Sequence, residues 1–126
     1  MRLLLDTCTF IWLISGERPL PERVRAAMVS ANVLISAVSA WEITLKYGKG
    51  ALRLPEPPER LIPAVRQQFG FDSLAMDEPS ALHVARLPPL HMDPFDRMLV
   101  SQAIVHGLTI VTPDPLVTQY PARTLW

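Results

Sequence analysis

At 126 residues the chain is long enough to bury a substantial apolar core and too short for two ordinary domains, so one domain is expected. Hydrophobic residues at 49% and charged residues at 19% exclude a disordered chain, and the 13 prolines are spread among the connections. Twelve basic residues balance twelve acidic ones, which excludes a bulk positive field and leaves any nucleic-acid contact to a local patch; the lone Cys8 excludes an internal disulfide and a cysteine zinc cage.

Leu3, Leu4 and Leu5 form a short apolar run that fits a central strand buried on both faces of a parallel sheet. Asp6 interrupts the run too early for a signal peptide or a membrane span, so the chain is expected to begin at Met1, to avoid membranes and to work in the reducing cytoplasm. Thr9 to Ile14 has helical length and is closed by Gly16 and Pro19, and Pro21 to Val29 reads as a second helix. Val33-Leu34-Ile35 is the second buried strand. Ser36 or Ser39 caps the following helix, which carries Trp41, Glu42, Ile43, Leu45 and Lys46 and ends at Gly48 and Gly50.

After the stiff segment Leu54 to Pro58, helical spacing resumes from Glu59 to Phe69, and Phe71 to Leu74 reads as a short edge strand. Asp77 caps a helix running to about Ala85, before the Pro88-Pro89 break. Asp93-Pro94 opens a helix that ends at Gly107 and should pack on the sheet. Leu108 to Thr112 is the third buried strand, Thr112 to Asp114 turns the chain sharply before Pro115, and Thr124-Leu125-Trp126 adds an edge strand. Alternating strand and helix patterns give an α/β fold with a mostly parallel sheet flanked by helices.

Four acids, Asp6, Glu42, Asp96 and Asp114, stand at or just beyond a strand end or a helix start. In an open α/β sheet the carboxyl ends of neighbouring strands line one crevice, so these acids can converge there. Carboxylates packed together repel one another unless a hard divalent cation supplies compensating charge, which points to a metal-dependent hydrolase. Each acid also has an ordinary explanation. Asp6 can cap the first helix, Ser39 with Glu42 has capping-box spacing, Asp93 with Asp96 suits a helix N-terminus, and Asp114 suits a turn between prolines. Their joint placement favours the metal-dependent reading, since a nuclease needs carboxylates that hold Mg2+ beside a scissile phosphate.

The pieces Leu4-Leu-Asp-Thr7, Ser36-Ala-Val-Ser-Ala-Trp-Glu-Ile43, His91-Met-Asp-Pro-Phe-Asp-Arg-Met-Leu99 and Thr109-Ile-Val-Thr-Pro-Asp114 together resemble a PIN-domain ribonuclease of the VapC type, the toxin of a bacterial toxin-antitoxin pair. The resemblance spans nearly the whole chain. It implies a three-layer PIN-like fold over residues 1–126 and Mg2+-dependent cleavage of RNA, with Mn2+ able to substitute, leaving a 5'-phosphate and a 3'-hydroxyl. It also implies a cognate antitoxin as partner and a homodimer. The four acids would form the catalytic pocket, Asp6 and Asp96 as direct metal ligands and Glu42 and Asp114 completing it directly or through water. Asp93 would be an N-cap supporting the site at most, and Thr7 and Thr112 would flank it.

Other residues read more plainly. His83, His91 and His106 lack the spacing of a helical zinc pair, and His91 is expected in a loop near the Asp93 cap. Cys8 is expected to be a small buried hydrophobe without a base to activate it. Lys46, Lys49, Arg53 and Arg97 would form a basic rim, although Glu42 and Lys46 also suit an ordinary helical pair. Trp12, Trp41 and Tyr47 fit core or protein interface better than base stacking. Two rival readings remain: a PIN-fold module acting chiefly through antitoxin binding, and an aspartate-nucleophile phosphatase, which would want an aspartate where Cys8 stands. No nucleotide-cofactor glycine motif occurs.

Overall fold

A computed structural model describes residues 1–126. Five parallel strands, β1 (Arg2–Leu5), β2 (Asn32–Ser36), β3 (Asp72–Leu74), β4 (Thr109–Val111) and β5 (Arg123–Leu125), make one sheet in the order β3-β2-β1-β4-β5. Every pairing in it is parallel, so the sheet is parallel throughout. Seven helices surround it: α1 (Thr7–Ser15), α2 (Glu22–Ser30), α3 (Ala37–Gly48), α4 (Pro58–Phe69), α5 (Glu78–His83), α6 (Pro94–His106) and α7 (Pro115–Thr118).

The strand run at the N-terminus shows why the fold has three layers. Side chains alternate across a strand, so Leu3 and Leu5 face one way and Leu4 the other, and all three are fully buried. Leu3 and Leu5 join a core with Phe10, Val24, Leu61, Ile62 and Val65, which brings α1, α2 and α4 onto one face. Leu4 joins Leu99, Val100, Ala103, Val117 and Tyr120, which brings α6 and α7 onto the other. Each fully buried leucine or phenylalanine of this kind contributes about 1.5–3 kcal/mol through apolar burial.

Successive strands step from β1 to β2 to β3, after which the chain crosses back and continues beside β1 with β4 and β5. The order therefore reverses between β1 and β4, and the crevice of an open sheet lies at the carboxyl ends of such a pair. Leu5 pairs with Val111, and the Asp6 N–H donates to the Val111 carbonyl at 3.1 Å, so the two strands end side by side. No helix is long and apolar enough to cross a membrane.

Two local expectations need correction. Thr112 to Pro115 does turn the chain, but the turn leads directly into α7, a four-residue helix capped by Asp114. The cap of α3 is Ser36, whose hydroxyl accepts the Val38 N–H and bonds Gln102 Oε1, so Ser39 and Glu42 do not form a capping box. Ser39 is instead buried, and the Thr7 hydroxyl donates to it at 3.0 Å, which ties the start of α1 to α3.

Candidate functional site

The site is built from the turns that follow β1 and β4 and from two helices. Asp6 is the first residue after β1 and caps α1, its Oδ1 accepting the Thr9 N–H at 2.8 Å. Asp114 lies three residues after β4 and caps α7 by accepting the Leu116 N–H at 2.9 Å. Glu42 belongs to the helix that leaves β2. Asp96 stands in the first turn of α6, behind the Asp93 cap, whose Oδ1 accepts from the Phe95 and Asp96 N–H groups. A helix linking two parallel strands runs against them, so the N-terminus of α6 comes to the carboxyl edge of the sheet.

The cap readings of Asp6, Asp93 and Asp114 are thus correct as structure, and the electrostatics add a second layer. Asp6 is buried and its pKa is raised, first by desolvation and then by the field of Asp114; hydrogen bonds from Thr112 and Thr9 pull the other way. The carboxyl of Asp96 is pushed up to about 6 by desolvation, then by the charge of Asp93, with Glu42 and Asp6 adding to it and the His91 hydrogen bond opposing. Asp96 therefore stands in the field of Glu42 and Asp6, and Asp6 in that of Asp114. Thr112 is buried in this pocket, its hydroxyl accepting the Asp114 N–H at 3.1 Å.

Glu42 is only 5% exposed. Its Oε2 is held by Lys46 Nζ at 2.6 Å, while Oε1 is buried with no hydrogen-bond partner in the protein. A buried carboxylate oxygen left unpaired costs free energy, so something outside the chain has to satisfy it. The protein offers no group of three histidine, cysteine, aspartate or glutamate side chains arranged as a ready-made metal cage. That does not conflict with a hard cation, because Mg2+ keeps several waters and is commonly held by one or two carboxylates together with substrate phosphate. Oxygen donors at Asp6 and Asp96, raised pKa values and an orphaned Glu42 oxygen fit such an ion.

Two expectations at this edge of the sheet are overturned. Cys8 is exposed, not buried; its thiol is pushed up to about 11, first by partial desolvation and then by the charge of Asp6, which disfavours the thiolate a nucleophile needs. Arg97 does not join a basic rim: its guanidinium turns inward and donates to the carbonyls of Pro88 and Val84 and to the Tyr120 hydroxyl. His91 lies, as expected, in the loop before α6 and bonds Asp96 beside the Asp93 cap, while its second partner, Tyr120, stands 29 positions away. Lys46 makes the helical pair with Glu42.

Around the site, Trp41 is 53% exposed and meets Phe95 edge to face at 5.1 Å, so it is not a core residue. A surface cleft of about 420 Å³ opens beside His91, Met92, Pro94 and Arg97, and none of the four acids lines it. On the opposite side of the sheet, a groove of about 320 Å³ runs between Leu13, Met28, Val29, Phe69 and Phe71.

Comparison with known proteins agrees with this architecture. Ribonuclease VapC16 of Mycobacterium tuberculosis is 36% identical over 55 residues, a segment that covers 44% of this chain and 39% of that protein. In structure, the chain is similar over its whole length to one in VapBC2 of Rickettsia felis bound to a DNA fragment from its promoter, with a TM-score of 0.76 at 15% identity and 99% of that chain covered. It is also similar to one in FitAcB of Neisseria gonorrhoeae, with a TM-score of 0.66, 25% identity, and 98% and 96% of the two chains covered. The family model for the PIN domain matches residues 3–121, and the chain belongs to the PIN-domain family.

Proposed function

We propose that this protein is a divalent-metal-dependent endoribonuclease, the toxin of a toxin-antitoxin pair, working in the cytoplasm with Asp6, Glu42, Asp96 and Asp114 as its catalytic acids. The observation that carries the reading is the repulsion that Glu42 and Asp6 exert on the Asp96 carboxyl at the carboxyl edge of the sheet, with one Glu42 oxygen buried and unpartnered. Asp6 and Asp96 are the proposed metal ligands, Mg2+ or Mn2+ the ion, and RNA the substrate. When bound, the ion would supply the charge that lowers the pKa of an attacking water and stabilises the phosphoryl transition state.

The chain's own residues have defined tasks in this account. Oδ1 of Asp6 is engaged by the Thr9 N–H, which restrains the carboxylate at the start of α1. Lys46 holds Glu42 by one oxygen, and the Thr112 hydroxyl orients the turn that presents Asp114. Three N-caps at α1, α6 and α7 restrain the acids of those turns before substrate arrives, so little order is lost on binding.

RNA incubated with the pure protein should be cut in Mg2+ or Mn2+ and spared in EDTA. Asp6→Asn and Asp96→Asn should each cut on the order of 10²-fold more slowly. Asparagine still caps a helix, so loss of α1 does not confuse the first variant. Cleavage that needs no metal, or that both variants retain, would contradict the mechanism.

The binding-module reading is favoured by one observation of its own. The groove on the face away from the acids is apolar, and Val29 at its edge is 89% exposed. An amphipathic helix of the cognate antitoxin suits it. The two readings are compatible, since groove and acids lie on different parts of the molecule. A second copy of the chain is the proposed partner of the exposed α3 face that carries Trp41 and Leu45.

A further inference from the structure

Arg97, one residue beyond Asp96, forms no ion pair with any carboxylate. Its Nη1 lies 2.9 Å from the Tyr120 hydroxyl and 2.9 Å from the Pro88 carbonyl, and its Nη2 lies 3.3 Å from the Val84 carbonyl. A guanidinium has donors only, so the Tyr120 oxygen must accept from it. The single proton of that buried hydroxyl is then directed to His91 Nδ1, 2.7 Å away. An imidazole that accepts at Nδ1 carries its hydrogen on Nε2, and Nε2 stands 3.3 Å from Asp96 Oδ2. Tyr120 has no other acceptor in the protein for its own proton, so with a neutral ring the chain of donation runs from Arg97 to Tyr120 to His91 to Asp96.

We infer that Arg97, Tyr120 and His91 are positioning residues for Asp96, a one-way chain of hydrogen bonds that fixes the His91 tautomer and holds Oδ2 against Nε2–H, so that Oδ1 is the oxygen left for a cation. The inference rests on the proposed function for its purpose and on the hydrogen-bond geometry for its content. Arg97 also donates to the His91 carbonyl, at 3.5 Å, so the same guanidinium steadies the loop and the ring it carries. Groups that orient a ligating side chain through its other atom commonly change metal affinity by about 10–100-fold when removed. Asp96 alone would be free to turn, since its side chain has no other hydrogen-bond partner in the protein.

Nitrogen-15 NMR of histidine-labelled, metal-free protein at slightly alkaline pH reads the tautomer directly, with His91 assigned by its absence from the His91→Gln spectrum. The expected signature is a bare Nδ1 and a protonated Nε2, and Tyr120→Phe should convert it to a mixture of tautomers. In calorimetry, His91→Leu should weaken Mn2+ binding about tenfold or more. His91→Gln, whose side-chain N–H reaches as far as Nε2, should recover most of that loss. A His91 ring protonated at Nδ1, or Mn2+ binding by the leucine variant equal to wild type, would overturn the relay. The histidine variants carry the test if Tyr120→Phe does not fold, as circular dichroism would reveal. If wild type itself takes up no Mn2+, the proposed function fails, and the tautomer decides the relay by itself.

Discussion

Asp6 and Asp96 are placed where stability alone would not put them. Burial and neighbouring carboxylates make ionisation of both unfavourable, and Asp96 reaches about 6. The consequence for stability has the opposite sign to that of a salt-bridged aspartate. The folded, metal-free chain holds the Asp96 proton more tightly than the unfolded chain, so this group's contribution is present at low pH and is lost as pH rises from about 4 towards 6. In EDTA, the melting temperature of wild type should therefore fall over that window more than that of Asp96→Asn, and the variant should be the more stable of the two at pH 7. Mn2+ should reverse the order by stabilising wild type selectively. Equal melting curves for the two proteins across the window would mean that Asp96 is not under strain. Glu42 illustrates the same trade differently: one oxygen is paired with Lys46 and the other is left buried and bare.

Elements position these side chains through their ends. Asp93 both caps α6 and raises the pKa of Asp96, and the two roles can be separated. Asp93→Ala should cost about 1 kcal/mol in urea denaturation through the lost cap. Asp93→Asn should leave stability nearly unchanged while lowering the pH at which Asp96 ionises. A cost as large for asparagine as for alanine would show that charge, not capping, is what α6 needs. Much of this layer was legible from residue patterns. Runs such as Leu3 to Leu5 and Val33 to Ile35 marked buried strands, and Asp-Pro and Gly boundaries marked α6 at both ends. What was not legible had no periodic signal. The four residues of α7 are too few to show one, and the choice between Ser36 and Ser39 as cap depended on where β2 stops. The His91, Arg97 and Tyr120 network joins a loop, a helix and a residue two positions beyond α7, which only the folded chain brings together.

At the scale of the whole molecule, the proposed chemistry and the proposed partner binding fall on different parts of the three-layer arrangement. The acids gather at the carboxyl edge of the sheet, and the apolar groove lies among α1, α2 and the end of α4. Met28→Lys with Val29→Asp should abolish capture of the cognate antitoxin in a pull-down, yet leave metal-dependent RNA cleavage within about twofold of wild type, because neither residue touches the site. Loss of both together would show that groove and acids are coupled. The candidate acids were legible as a set because strand topology sends separated sequence positions to one edge. Their coordination was not, because side-chain direction depends on neighbours such as Thr9, Lys46 and His91. The most direct measurement is a crystal soaked in Mn2+ and read at the manganese absorption edge. An anomalous peak within bonding distance of both Asp6 and Asp96, absent in the Asp96→Asn crystal, is the predicted result. A fully soaked crystal with no peak there, or with the two carboxylates bound to separate ions at unrelated places, would contradict the account.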